Sequence, residues 1–229
     1  VTRESGINSI NDLKNKNVMI TSDAKASASI ISMLQSEGIM SFDINIQKHS
    51  FNLDDLINGK TDAMASYISN EPIRLAEKNI DYKVFHPEHY GFKFYDDILY
   101  SSSKFIKNNP ELTKKFFDAT IKGWEYAFSN IDETVELIYN KYNTQNKTKE
   151  ALRFEAHELK KLAYVNGFKI GSIEKTKLKK INEIYRIFGL IEKDINLKSY
   201  YLDEAQKETK LNQQEIEYLK TNNFNVCPR

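Results

Sequence analysis

Between an apolar triplet, Ala63-Met64-Ala65, and a helical pattern beginning near Glu71, the chain reads Ser66-Tyr67-Ile68-Ser69-Asn70-Glu71-Pro72. A carboxylate accepts two hydrogen bonds from an amine or amidine-like edge, and a neighbouring primary amide both donates and accepts. Asn70 and Glu71 together can therefore read a heterocycle. The same residues also suit a plain helix start, with Asn70 as N-cap and Glu71 at the positive end of the helix dipole. A second stretch, His89-Tyr90-Gly91-Phe92-Lys93-Phe94-Tyr95-Asp96-Asp97, crowds rings on which a flat ligand would stack. Its alternation of Tyr90, Phe92 and Phe94 equally fits a strand packing into a core. In a third, Thr21 to Ser27, the hydroxyls of Ser22 and Ser27 with free helix N–H groups can hold an anion or a polar ligand edge, and helix capping explains them equally well.

Other chemistry lacks its residues. The four histidines, His49, His86, His89 and His157, show no metal-ligand spacing and read as scattered surface or satisfied side chains. The single cysteine, Cys227, excludes disulfides within the chain and cysteine-based metal sites. There is no Gly-rich phosphate loop and no G-x-S-x-G nucleophile elbow, so the sequence makes no case for catalysis or for a cofactor. Trp124 fits the apolar face of its helix and reads as core.

These residues need elements to position them. Val18-Met19-Ile20 is a buried-strand signal, followed by a helix over 26–38 that ends at Gly38. Ile44 and Ile46 alternate with polar neighbours, and Asn52 can cap a short helix carrying Leu53, Leu56 and Ile57. Ala63–Ala65 gives a third strand, 71–78 a third helix with Pro72 in its first turn, and Tyr82–Phe85 a fourth strand, followed by the strand-like Ile98-Leu99-Tyr100. The pattern βαβαβαβ predicts an α/β fold with a mainly parallel sheet covered on both faces, and ligands bind beyond the carboxyl ends of such strands. From about residue 102 helical patterns take over: one from Asn109-Pro110 to about Ser129, then 132–142, 148–165 and 173–188. The organisation expected is an α/β lobe over 1–101, a helical region over 102–190, and a linker over 191–229 with a last helix near Asn212–Leu219.

With 229 residues, 40% hydrophobic and 12% aromatic, the chain can pack a core. A net charge of +1 supplies no basic footprint for nucleic acid or an anionic membrane. No apolar run is long enough to insert in a bilayer, and the start, Val1-Thr2-Arg3-Glu4, lacks a Met and a signal-peptide pattern, which reads as a piece of a longer chain.

Four stretches resemble the periplasmic-type binding proteins for thiamine pyrimidine precursors, relatives of alkanesulfonate and taurine binding proteins. They are Gly6 to Lys16, Gly59-Lys60-Thr61-Asp62-Ala63, Asn70-Glu71-Pro72 and Tyr90 to Leu99, joined by Gly123-Trp124-Glu125-Tyr126-Ala127. The resemblance implies a two-lobed type II periplasmic-binding-protein fold that closes around a small molecule, with the first part of the other lobe lying upstream of Val1. It implies Asn70 and Glu71 as polar ligand contacts, with Tyr90, Tyr95 and Asp97 next. The region Gln145-Asn146-Lys147 and the helices after it look like the version of this domain used as an extracytoplasmic sensor in bacterial signalling receptors, and the stretch from Leu211 to Cys227 is similar to the lead-in of a following amino-acid-type binding domain, which implies adjoining signalling or second binding domains as partners. The alternatives are a free solute-binding protein of an ABC transporter, for a pyrimidine or a sulfonate, and a pyrimidine-synthesis enzyme. The cysteine-rich motif implied for that enzyme is missing here. An incomplete lobe would also expose apolar surface that a second copy could cover in a homodimer.

Overall fold

The computed structural model describes residues 1–197 apart from Ser22, Ala24, Lys25, residues 165–167 and Asp194. The helix expected near Asn212 and the lone Cys227 lie outside the described residues. The described residues form two compact units, one of residues 1–96 with those from 175 to 197, the other of residues 97–174.

The first unit is built on a parallel sheet of β1 (Asn17–Ile20), β2 (Asn45–Lys48) and β3 (Ala63–Met64), in the order β2-β1-β3. Asn17 stands opposite Asn45, and Val18 opposite Ala63. Because side chains alternate along a strand, Val18 and Ile20 turn to one face and Met19 to the other. On the first face Val18, Ile20 and Ala63 pack with Met33 and Leu34 of α1 (Ala28–Ser36) and with Ile7, Ile10, Leu13, Ile39 and Ile44. Ile10 and Ile39 are each 1% exposed, so this is a closed core. On the second face Met64 packs with Leu53 and Leu56 around α2 (Asp54–Ile57) and Leu75 of α3 (Glu71–Glu77). Burying each such aliphatic side chain contributes about 1.5–3 kcal/mol. Gly38 ends α1 in the left-handed conformation (φ +78°), while Ile39 N–H donates to the Leu34 carbonyl at 2.9 Å.

Two of the expected strands need correction. Tyr82–Phe85 is not a fourth parallel strand: Tyr82 makes an isolated antiparallel bridge to Thr2, with Arg3 N–H on the Asp81 carbonyl at 2.8 Å and Lys83 N–H on the Val1 carbonyl at 2.9 Å. Tyr82 packs on the second core cluster and Phe85 on the first, so this segment passes from one face of the sheet to the other instead of joining its edge. Nor do Ile98, Leu99 and Tyr100 form a strand, since all three side chains are exposed. The aromatic alternation before them serves α8 (Lys175–Ile187): Phe94 stacks on Tyr185 at 5.8 Å and Phe92 meets Phe188 edge-on at 6.1 Å.

The second unit holds α4 (Ser103–Asn108), α5 (Pro110–Ser129), α6 (Ile131–Lys141) and α7 (Lys149–Ala163). Its buried centre is Phe128, Val135, Ala151 and Leu152, with the Lys160 ammonium donating to the Phe128 carbonyl at 2.8 Å. Trp124 departs from the core position expected of it. It is 43% exposed, leaning on Phe128 with ring centroids 5.2 Å apart, and Leu112 and Phe116 on the same helix are more exposed still. The packing is tightest at the carboxyl end of α5 and leaves Leu112 and Phe116 of its apolar stripe open.

Candidate functional site

The approach to β3 is fixed by two neighbours of the strand. The Asp62 carboxylate accepts from Asn17 N–H at 2.8 Å, and the buried Thr61 hydroxyl lies 2.9 Å from the Ala63 carbonyl and 3.1 Å from that of Asn17. Ala65 N–H then continues the ladder to the Met19 carbonyl at 2.8 Å, so the chain leaves the sheet at a defined height. Beyond that point it turns through residues 68–70 into α3.

This turn is closed by Glu71. Its carboxylate accepts from the Tyr67 backbone N–H at 2.8 Å through one oxygen and from the Asn70 side-chain amide at 2.7 Å through the other. Asn70 occupies the N-cap position, yet its side chain makes no capping bond. The capping explanation therefore does not describe what the amide does. Each carboxylate oxygen keeps further lone-pair capacity, and with one of its two amide N–H groups turned to Glu71 the Asn70 side chain keeps its oxygen and the other N–H. The pair gathers three acceptor oxygens and a single N–H at the carboxyl end of a parallel strand, suited to a ligand edge rich in N–H donors. An anion would meet like charge there.

Three residues past the ends of β2 and β3 were not among the candidate ligand contacts read from sequence. Tyr67 is 68% exposed and Phe51, just past β2, is 81% exposed. His49, placed above among the scattered or satisfied histidines, is satisfied in a specific way. Its Nδ1 accepts from Phe51 N–H at 2.9 Å, and a backbone N–H can only donate, so the proton sits on Nε2 and goes to the Ala65 carbonyl at 2.7 Å. That imidazole ties the loop after β2 to the loop after β3. The signal available in sequence was a large apolar residue, Phe51, isolated between Ser50 and Asn52.

Ser27 is buried, its hydroxyl donating to the Thr21 carbonyl at 3.2 Å, which closes the loop after β1. Ser22 lies outside the described residues. Tyr90 ends a short 3-10 turn (Pro87–Tyr90) and packs against the core cluster on the α1 face. Burial, with the Glu37 carboxylate assisting, raises its hydroxyl above the ordinary tyrosine pKa. Tyr95 is half-buried with the Lys177 ammonium 3.8 Å from its ring centroid. Asp97 is exposed and opens the second unit. Asn70 and Glu71 are thus brought together by a direct hydrogen bond, Tyr90 is engaged with the core, and Tyr95 with α8. Among the described residues no group of three His, Cys, Asp or Glu side chains is placed to hold a metal ion.

A parallel α/β sheet with its polar turn beyond the strand ends is the architecture of periplasmic-binding-protein-like domains, and solved structures of that class match this one. The alkanesulfonate-binding protein SsuA from Xanthomonas axonopodis pv. citri, bound to MOPS, aligns with a TM-score of 0.65 at 12% identity, over 88% of this chain and 68% of that one. The periplasmic sulfonate-binding protein SsuA from Methylobacillus flagellatus KT aligns with a TM-score of 0.56 at 16% identity, over 99% of this chain and 66% of that one. The chain belongs to the NMT1/THI5-like family, whose model matches residues 1–134. It is also similar to the formylaminopyrimidine-binding protein of Halalkalibacterium halodurans, 28% identical over 93 residues, a stretch that makes up 40% of this chain and 28% of that protein.

Proposed function

We propose that this chain forms part of an extracytoplasmic small-molecule binding domain that performs no catalysis, and that its ligand is a small amine-bearing heterocycle of the thiamine-pyrimidine-precursor type. The observation that carries this reading is the acceptor cluster of Asn70 and Glu71 beyond the end of β3. It supports an aminopyrimidine over a sulfonate, because a sulfonate has only acceptors to present and would face a carboxylate. The family and the pyrimidine named for the relative above favour the same class. Ligand closing the site shifts an open and closed equilibrium that adjoining domains of a sensor read out. A second reading, a free solute-binding protein serving a transporter, is favoured by the two solved neighbours, both of which are solute-binding proteins.

Calorimetric titration with formylaminopyrimidine and with MOPS tests the ligand class. Binding of the pyrimidine is expected, weakened about 10- to 100-fold by Glu71→Gln, the loss of one hydrogen bond to a charged group. Binding of MOPS without the pyrimidine, or a Glu71→Gln variant that binds like the wild type, overturns the assignment.

A further inference from the structure

Phe51 combines two features that are each costly. Its ring is 81% exposed, and its backbone holds φ at +58°. Among the described residues the other non-glycine positions with positive φ are Asn15, Asn79 and Asn146, a type whose short polar side chain tolerates the left-handed region. A bulky aromatic residue gains nothing there, and such strain persists only where the surroundings over-determine it.

The surroundings of Phe51 do so. Its N–H is held by His49 Nδ1 at 2.9 Å, its ring lies 4.4 Å from the imidazole at an interplanar angle of 31°, and that imidazole is fixed to the Ala65 carbonyl at 2.7 Å. On its two sides Ser50 is anchored to the Met19 sulfur through both N–H (3.3 Å) and hydroxyl (3.4 Å), Asn52 N–H donates to the Ser50 hydroxyl at 3.2 Å, and Asp54 N–H donates to the Asn52 side-chain oxygen at 3.1 Å. The loop spends its hydrogen bonds on presenting a phenyl ring to solvent. Phe42 offers a contrast. It is 85% exposed but lies before β2, at the opposite end of the strand, with no positive φ. Phe51 stands past the carboxyl end of β2, and the bond from His49 to Ala65 links its loop to the one that leads to Asn70 and Glu71.

We propose that Phe51 is a ligand-contact residue, held in strain by His49 so that its ring stacks on the flat face of the heterocycle whose edge Asn70 and Glu71 read. This rests on the ligand class assigned above and adds a requirement, that the ligand present an aromatic face. His49 is a positioning residue in this arrangement. Stacking on one ring face orients a planar ligand edge-on toward a neighbouring acceptor cluster, which separates it from aliphatic amines.

Two variants test it, with the wild type and Glu71→Gln measured alongside. Phe51→Asn removes the ring and places at φ +58° a residue that accepts it. The melting temperature is expected to hold or rise by up to about 4 °C, while affinity for formylaminopyrimidine falls about 5- to 30-fold. Phe51→Tyr keeps the ring and is expected to retain wild-type affinity. A melting temperature lowered by Phe51→Asn shows the ring to be structural and overturns the proposal without reference to any ligand. If the wild type binds, Glu71→Gln weakens binding and Phe51→Asn does not, this assignment falls alone. If the wild type does not bind formylaminopyrimidine at all, the ligand class falls first and takes this assignment with it.

Discussion

Among the described residues Lys160 is the one buried cation of the helical unit, 7% exposed, and its ammonium donates to the Phe128 carbonyl at 2.8 Å in the last turn of α5. Burial lowers its pKa from the ordinary lysine value, the mark of a charge held partly out of water. Lys160→Met keeps the length of the stem and deletes the charge. The loss comprises a hydrogen bond from a charged donor, about 1.5–3 kcal/mol, and attraction to the negative end of the α5 dipole, about 0.3–1 kcal/mol. Returning the desolvation of the ammonium offsets part of this, leaving a net destabilisation of about 2 kcal/mol. Trp124 is the single tryptophan of the chain and its ring lies 5.2 Å from that of Phe128, so its fluorescence reports the unfolding of this unit. With a urea slope of about 1–2 kcal/mol per M, the midpoint is expected to fall by about 1–2 M. Lys161→Met, which removes an ion pair to Glu158 from a half-exposed lysine, is the control and is expected to cost under about 0.5 kcal/mol. An unmoved or raised midpoint for Lys160→Met refutes the reasoning, because it shows that burying the ammonium costs as much as its bond returns.

Gly171 holds φ +82°, and a Cβ there would stand 2.5 Å from Ile121 Cδ1 and 3.1 Å from Phe117 Cζ. Since the Ile121 methyl can swing away, the backbone strain dominates, and Gly171→Ala is expected to destabilise the helical unit by about 1–2 kcal/mol in the same fluorescence assay; a neutral result removes the strain argument. His86 and His157 are both lowered from 6.5, chiefly by burial. As pH falls through about 6.5 the unfolded chain takes up protons that the folded chain refuses, so stability present above that pH is lost until the lowered folded values are passed. The melting temperature is expected to fall between pH 7 and pH 5 and to fall less in a His86→Gln, His157→Gln double variant; identical pH profiles for the two proteins would exclude these histidines as the cause.

How much of this was readable in the sequence depended on whether the information was local. Val18-Met19-Ile20 declares a buried strand because three apolar residues between polar ones leave few other fates, and Asn109-Pro110 starts α5 where a fixed φ and a missing N–H permit it. Asn70 and Glu71 could be paired from sequence because they are neighbours. Tyr82–Phe85 misled because alternation announces packing on one side but not which partner, and the partner was the amino-terminal segment rather than the sheet edge. The left-handed backbone of Phe51 was invisible for a different reason. Asparagine or glycine signals a left-handed residue by type, whereas a phenylalanine there is imposed by His49 and Ser50 through contacts that no spacing encodes.

The turn into α3 shows how a broken local rule points to a site. A helix start ordinarily spends an asparagine at the N-cap on the free N–H groups of its first turn. Here the Asn70 side chain goes to Glu71 and makes no capping bond, and Pro72 removes one of the donors that capping would have served. Glu71 in turn reaches back to Tyr67 N–H, so the carboxylate that suits the helix dipole is also what shapes the loop. Helix stability alone would be served better by an Asn70 turned inward. Local preferences that a sequence sets aside are found where structure is spent on function, and the amide turned away from the helix leaves three acceptor oxygens, two of Glu71 and one of Asn70, gathered beyond the strand end where parallel sheets bind their ligands.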